Sequence, residues 1–209
     1  RVVSCHSDRT AISTSDAQWT YAELDERSTS LACDILNRVG TADPVVGLLL
    51  EHGTALVAAI LGTLKAGRIY LALDPNDSVA TLTAMLVDAQ IGLLVTDKSN
   101  VSLARSLTTE RLKILVIEEE QTRCLPGTTC EEVPADAGAW LMYTSGSTGA
   151  PKGVWQSHGN VVHHAEVYRD LIGLTEKDRL SLITPFGLAA SATPLFASLL
   201  NGAALCLYP

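Results

Sequence analysis

Residues 45–73 read VVGLLLEHGTALVAAILGTLKAGRIYLAL, which divides into three segments. Val45 to Leu50 is a continuous apolar run, Thr54 to Lys65 is a helical stretch closed by Gly67, and Ile69 to Leu73 is a second apolar run. A strand-length run with no polar alternation predicts a strand covered on both faces, which is how parallel strands lie. Toward the C-terminus the rhythm repeats, with a helix near Ala80 to Ala89 and strands at Ile91 to Thr96 and Leu112 to Ile117. Toward the N-terminus, Ala11 to Thr14 pairs with Gln18 to Tyr21 across a Ser-Asp turn, and Thr20 with Glu23 forms a capping box. The helix it opens runs to Gly40, carrying Leu24, Leu31, Ile35 and Leu36 at helical spacing. Strands alternating with helices predict an α/β fold of mostly parallel sheets flanked by helices.

The segment Glu118 to Ala139 breaks this rhythm with glutamates, cysteines and prolines, and reads as an exposed connection and a possible internal break. From Trp140 a second α/β stretch begins: a strand, a glycine-rich loop, another strand, and a helix from about Asn160 to Leu174. A strand near Leu180 to Thr184, a helix near Ser191 to Leu200 and a strand at Ala203 to Leu207 follow. Two α/β subdomains are therefore expected. A core-like strand so close to the last residue lacks covering partners, and Arg1 is not Met, so the chain reads as an incomplete domain, processed or excised.

Composition narrows the partners. The chain has 209 residues, 47% hydrophobic and 18% charged, enough to bury a core and too apolar for intrinsic disorder. The balance 15 − 23 = −8 argues against a broad footprint on nucleic acid or on an anionic membrane. The most apolar stretch, Val45 to Leu64, is broken at Glu51, His52 and Gly53 into runs too short to span hydrocarbon. The five cysteines do not group like zinc ligands and read as bystander thiols, so no metal site and a cytoplasmic setting are expected.

Chemistry concentrates in Tyr143-Thr144-Ser145-Gly146-Ser147-Thr148-Gly149-Ala150-Pro151-Lys152-Gly153. Gly146 and Gly149 let successive backbone N–H groups turn around an anion, the hydroxyls of Thr144, Ser145, Ser147 and Thr148 add donors, and Lys152 adds a compact cation. Polyphosphate is the ligand this suits. A flexible Ser/Gly connection has a similar composition, but the strand before and the Pro-Lys-Gly after favour the phosphate reading. The pattern G-x-x-x-x-G-K-[ST] is absent, which disfavours a P-loop NTPase.

This loop resembles the phosphate-binding signature of the acyl-adenylate-forming superfamily. Trp19-Thr20-Tyr21-Ala22-Glu23-Leu24 resembles the first conserved segment of the adenylation domains of nonribosomal peptide synthetases. Leu64-Lys65-Ala66-Gly67-Arg68-Ile69-Tyr70-Leu71-Ala72-Leu73-Asp74-Pro75 resembles the second, and Leu199-Leu200-Asn201-Gly202-Ala203 resembles the end of the fourth. The resemblance implies that residues 1–209 are the N-terminal part of such a domain, lacking the ribose-binding aspartate and the C-terminal subdomain with its catalytic lysine. It implies ATP with Mg²⁺, a carboxylic acid activated as acyl-AMP with release of pyrophosphate, and thioester transfer to a phosphopantetheinyl carrier protein. Thr144, Ser145, Gly146, Ser147, Thr148, Gly149 and Lys152 would hold the phosphates. A non-catalytic nucleotide-binding module or an acyl-CoA synthetase fragment would use the same loop.

Counting back from Asn201-Gly202-Ala203 puts Ala189 where amino-acid-activating members carry an aspartate for the substrate ammonium. No Asp or Glu lies between Arg179 and Pro209, and a buried ammonium without a carboxylate is costly. The implied substrate lacks an ordinary α-amino group, as aryl, keto, hydroxy or fatty acids do, and Ala189, Ala190 and Thr193 would line its pocket. His163 and His164 diverge by about 100° on a predicted helix, which disfavours a metal pair.

Overall fold

The structure is a computed structural model, and it describes residues 2–39, 44–107, 111–117, 132–144 and 152–208. The first part of the chain runs α1 (Val2–His6), β1 (Thr10–Ser13), β2 (Gln18–Thr20), α2 (Tyr21–Arg38), β3 (Val45–Leu49), α3 (Thr54–Lys65) and β4 (Ile69–Leu73). It continues with α4 (Val79–Asp88), β5 (Leu93–Thr96), α5 (Val101–Ser106) and β6 (Lys113–Val116). The remainder comprises β7 (Gly138–Thr144), β8 (Lys152–Ser157), α6 (His158–Ile172), β9 (Arg179–Leu182), a 3₁₀ turn (Ala189–Ser191), α7 (Ala192–Leu200) and β10 (Ala204–Leu207).

The strands form two sheets. A six-stranded sheet runs β6-β5-β3-β4-β7-β8, parallel throughout except for the antiparallel pair β7 and β8. Every residue of β3 is buried, as its unbroken apolar run requires of a central strand packed on both faces. The segment read as an exposed connection ends earlier than expected, since β7 begins at Gly138 and Ala139 is buried, and the strands on its two sides share this sheet because β4 pairs with β7 at Tyr70 and Trp140. The second sheet runs β2-β1-β10-β9, with β1 and β2 antiparallel and β10 parallel to both neighbours. From the sequence, β10 is expected to lack partners covering its far side. The structure corrects this: β1, from the other end of the chain, occupies one edge and β9 the other, and all four β10 residues are buried.

Local signals explain several ends. Thr20 Oγ1 accepts from the Glu23 amide while a Glu23 carboxylate oxygen accepts from the Thr20 amide, so the capping box forms as expected. Gly67 adopts φ +65 after α3, a conformation that L side chains rarely take. The short helices α1 and α5 have too few turns for their periodicity to show in the sequence. Cys33, read as a bystander thiol, is disulfide-bonded, whereas Cys5 and Cys206 are free. Among the described residues no helix is long and apolar enough to cross a membrane.

Helices α2 and α3 meet closely. A Cβ on Gly62 would lie 2.9 Å from the Ser28 carbonyl oxygen and 3.1 Å from Leu31 Cβ. Lys65 Nζ, one turn on, donates to Asp25 Oδ1 at 2.6 Å and to the hydroxyls of Ser28 and Thr29 at 2.8 Å each. Gly62→Ala is expected to cost about 1–3 kcal/mol, since backbone rather than a pliable side chain blocks the methyl group. A lowered denaturant midpoint with an unchanged slope is the corresponding measurement.

Candidate functional site

The antiparallel pair β7 and β8 places the loop. Trp140 faces Gln156, Met142 faces Val154 and Thr144 faces Lys152 across the ladder. Thr144 and Lys152 are exposed and bracket the loop at the open end of the hairpin. Ser145, Gly146, Ser147, Thr148 and Gly149 lie outside the described residues. Beside Thr144, the Tyr143 hydroxyl donates to Asp88 Oδ2 at 2.6 Å and ties this strand end to α4. Burial, reinforced by the Asp88 carboxylate, pushes the Tyr143 phenol above its ordinary pKa and keeps it a donor.

A cavity of about 610 Å³ opens between this hairpin, α6 and the start of α7. Ala189 and Ala190 of the 3₁₀ turn and Thr193 of α7 all line it, so the three pocket positions read from the sequence come together. The hairpin contributes Trp140, Met142 and Gln156, and α6 contributes Asn160, His164 and Val167 among others. None of the described lining residues is Asp, Glu, Lys or Arg.

Strand geometry links loop and cavity. Successive side chains of a strand alternate between faces, so Trp140, Met142 and Thr144 share one face of β7, and Gln156, Val154 and Lys152 share one face of β8. Three of those residues line the cavity, which puts Thr144 and Lys152 on the cavity's own face. Two residues along a strand span about 7 Å, so the loop begins that far beyond Met142.

Two histidines near the hairpin differ in role. Ser157 caps α6 by accepting from the Asn160 amide. His158, next to that cap, has a buried Nε2 with no hydrogen-bond partner among the described residues, and burial lowers its pKa. His164 Nε2 lies 2.8 Å from Thr193 Oγ1. The sequence pattern disfavours His164 as a metal ligand but does not assign it to the pocket, nor does it mark Trp140, Met142 or Phe196 as cavity walls. The spacing Asn160, His164, Val167 was the available signal for one wall, at i, i+4 and i+7. The far wall comes from segments that only tertiary folding brings near. Among the described residues no group of three His, Cys, Asp or Glu side chains is placed to hold a metal.

The arrangement is that of an α/β protein in which Thr144 and Lys152, flanking a Ser/Thr/Gly segment, share a strand face with a cavity that has no Asp, Glu, Lys or Arg among its described lining residues. The chain belongs to the family described as AMP-binding enzyme, which it matches over residues 1–209. It is 30% identical over 201 residues to bacitracin synthase 3 of Bacillus licheniformis, covering 95% of this chain and 3% of that protein. It is 31% identical over 200 residues to tyrocidine synthase 1 of Brevibacillus parabrevis, covering 95% of this chain and 18% of the relative. Among solved structures it resembles the AMPPNP-bound form of the nonribosomal peptide synthetase FmoA3, with TM-score 0.85 and 26% identity over 99% of this chain and 22% of that one. The N-terminal subdomain of Klebsiella oxytoca NpsA shares the fold, with TM-score 0.81 at 24% identity over 100% of this chain and 53% of that one. The chain thus spans only a small part of the synthetases it matches.

Proposed function

We propose that residues 1–209 are the N-terminal part of an adenylation domain that activates a carboxylic acid as acyl-AMP at the expense of ATP. The carboxylate attacks the α-phosphorus, and pyrophosphate leaves with the β- and γ-phosphates. Thr144, Ser145, Gly146, Ser147, Thr148, Gly149 and Lys152 bind those phosphates, where donors and a cation stabilise charge on the leaving group. Mg²⁺ enters with the nucleotide, since it is usually held through substrate phosphates rather than by a protein cage. The thiol of a phosphopantetheinyl carrier protein then attacks the acyl carbonyl, forming a thioester and releasing AMP, a step supported by the likeness to peptide synthetases.

The observation that carries this reading is the shared face of hairpin and cavity. An acid in the cavity would lie on the strand face that carries Thr144 and Lys152, the two described ends of the loop. Ala189, Ala190 and Thr193 form the acid pocket. With alanine where amino-acid-activating domains carry aspartate, and with no carboxylate among the described lining residues, the pocket selects an acid without an α-ammonium group.

ATP/pyrophosphate exchange on the full reading frame tests the proposal, using matched acids that differ only in an α-amino, keto, hydroxy or hydrogen substituent. Exchange with a deaminated acid and not with its amino acid is the expected result. Exchange with the amino acid alone removes the substrate assignment and leaves adenylation standing. ATP binding without exchange on any acid identifies a non-catalytic nucleotide-binding module instead.

A further inference from the structure

The cavity contains a hydrogen-bonded pair that closes across two helices. His164 on α6 places Nε2 2.8 Å from Thr193 Oγ1 on α7, and both side chains line the same space as Ala189 and Ala190. The wall around them includes Trp140, Met142 and Phe196. With no Asp or Glu among the described lining residues, an ammonium on the acid's body would enter without a carboxylate counter-charge, which is costly.

A hydroxyl group meets no such cost. One proton lies between His164 Nε2 and Thr193 Oγ1. If the imidazole donates it, Thr193 keeps a proton to give. If Thr193 donates it, Thr193 keeps lone pairs that accept. A hydroxyl both gives and accepts, so it completes either arrangement, whereas a keto or ether oxygen completes only one. In a mostly apolar wall, such a paired polar point discriminates between acids that differ by a single oxygen.

We propose that His164 is a specificity-determining residue which, with Thr193, reads a hydroxyl on the body of an otherwise uncharged acid. The inference rests on the acid-activating reading of the cavity. Its test is ATP/pyrophosphate exchange on the full reading frame, with benzoate against its monohydroxy isomers and hexanoate against its monohydroxy isomers. One hydroxylated acid is expected to exceed its parent in kcat/KM by about tenfold or more, the discrimination of one good hydrogen bond. His164→Phe and Thr193→Val should each reduce that ratio about tenfold, while Thr193→Ser, which keeps the hydroxyl, should preserve it.

A wild-type ratio near one overturns the inference, as does a ratio that survives both variants. Equal losses on hydroxylated and parent acids overturn it too, because they mark a structural role. In each of these cases exchange with some acid leaves adenylation intact. Exchange with no acid, despite ATP binding, removes the adenylation reading and this inference together.

Discussion

Replacing Lys152 by alanine, alone and with Thr148→Ala, is expected to lower ATP/pyrophosphate exchange by about 10²–10³-fold, the effect of removing a preorganised donor from developing charge. Lys152 is the first residue of β8 and faces Thr144 across the ladder, so its backbone position is fixed by the hairpin on both sides of the loop. Its ammonium is exposed, and it can move onto a phosphate without first breaking a buried ion pair. A charge that meets the leaving group mainly as negative charge builds lowers kcat when removed, more than it raises KM. Lys152→Arg keeps the charge but swaps a compact ammonium for a planar fork, and should recover only part of the rate. If exchange in the double variant stays within about twofold of wild type, the loop does not stabilise this leaving group, and the assignment of residues 144–149 and 152 falls with it.

Trp140→Ala is expected to destabilise the fold by about 3–5 kcal/mol, a large share of the 5–15 kcal/mol typical of a whole domain. Trp140 is 7% exposed. Its ring meets Tyr70 edge-on with centroids 6.1 Å apart and Phe196 at 6.4 Å, so one side chain joins β4, β7 and α7. Its backbone provides the pairing between β4 and β7. Truncation would therefore open a void at the junction of sheet and helix that no single neighbour can fill. Because the indole Nε1 is buried without a hydrogen-bond partner among the described residues, Trp140→Phe loses area and leaves no polar atom behind. It should cost much less than the alanine variant. Equilibrium unfolding of both variants checks the order, and equal destabilisation by the two would contradict the packing argument.

Legibility of the fold followed the range of the physics. The capping box at Thr20 and Glu23, the helix Thr54 to Lys65 and the buried strands β3 and β4 depend on neighbours within a few residues, and each formed where the sequence placed it. The start of α4 near Ser78 and the span of α6 came within two residues for the same reason. The partners of β10 did not. Nothing near residues 204–207 indicates that β1, almost two hundred residues earlier, supplies one edge. Nor does local pattern show that β7 joins β4, because a strand's hydrophobicity says that it is covered and not by what.

The site divides along the same line. By itself the sequence determined the α/β class and the grouping of glycines and hydroxyls with Lys152 after an apolar strand, since these are properties of residue type and spacing, whereas the pocket reading of Ala189, Ala190 and Thr193 rests on the resemblance to adenylation domains. Only the tertiary structure decided that those positions share a cavity with Trp140 and His164, that the His164 imidazole meets Thr193, and that Thr144 and Lys152 point to the cavity's face. Such facts depend on strand register and on helices packing across a sheet, where the contacts join residues far apart in the chain and the loop-closure cost is met by burial of the whole core.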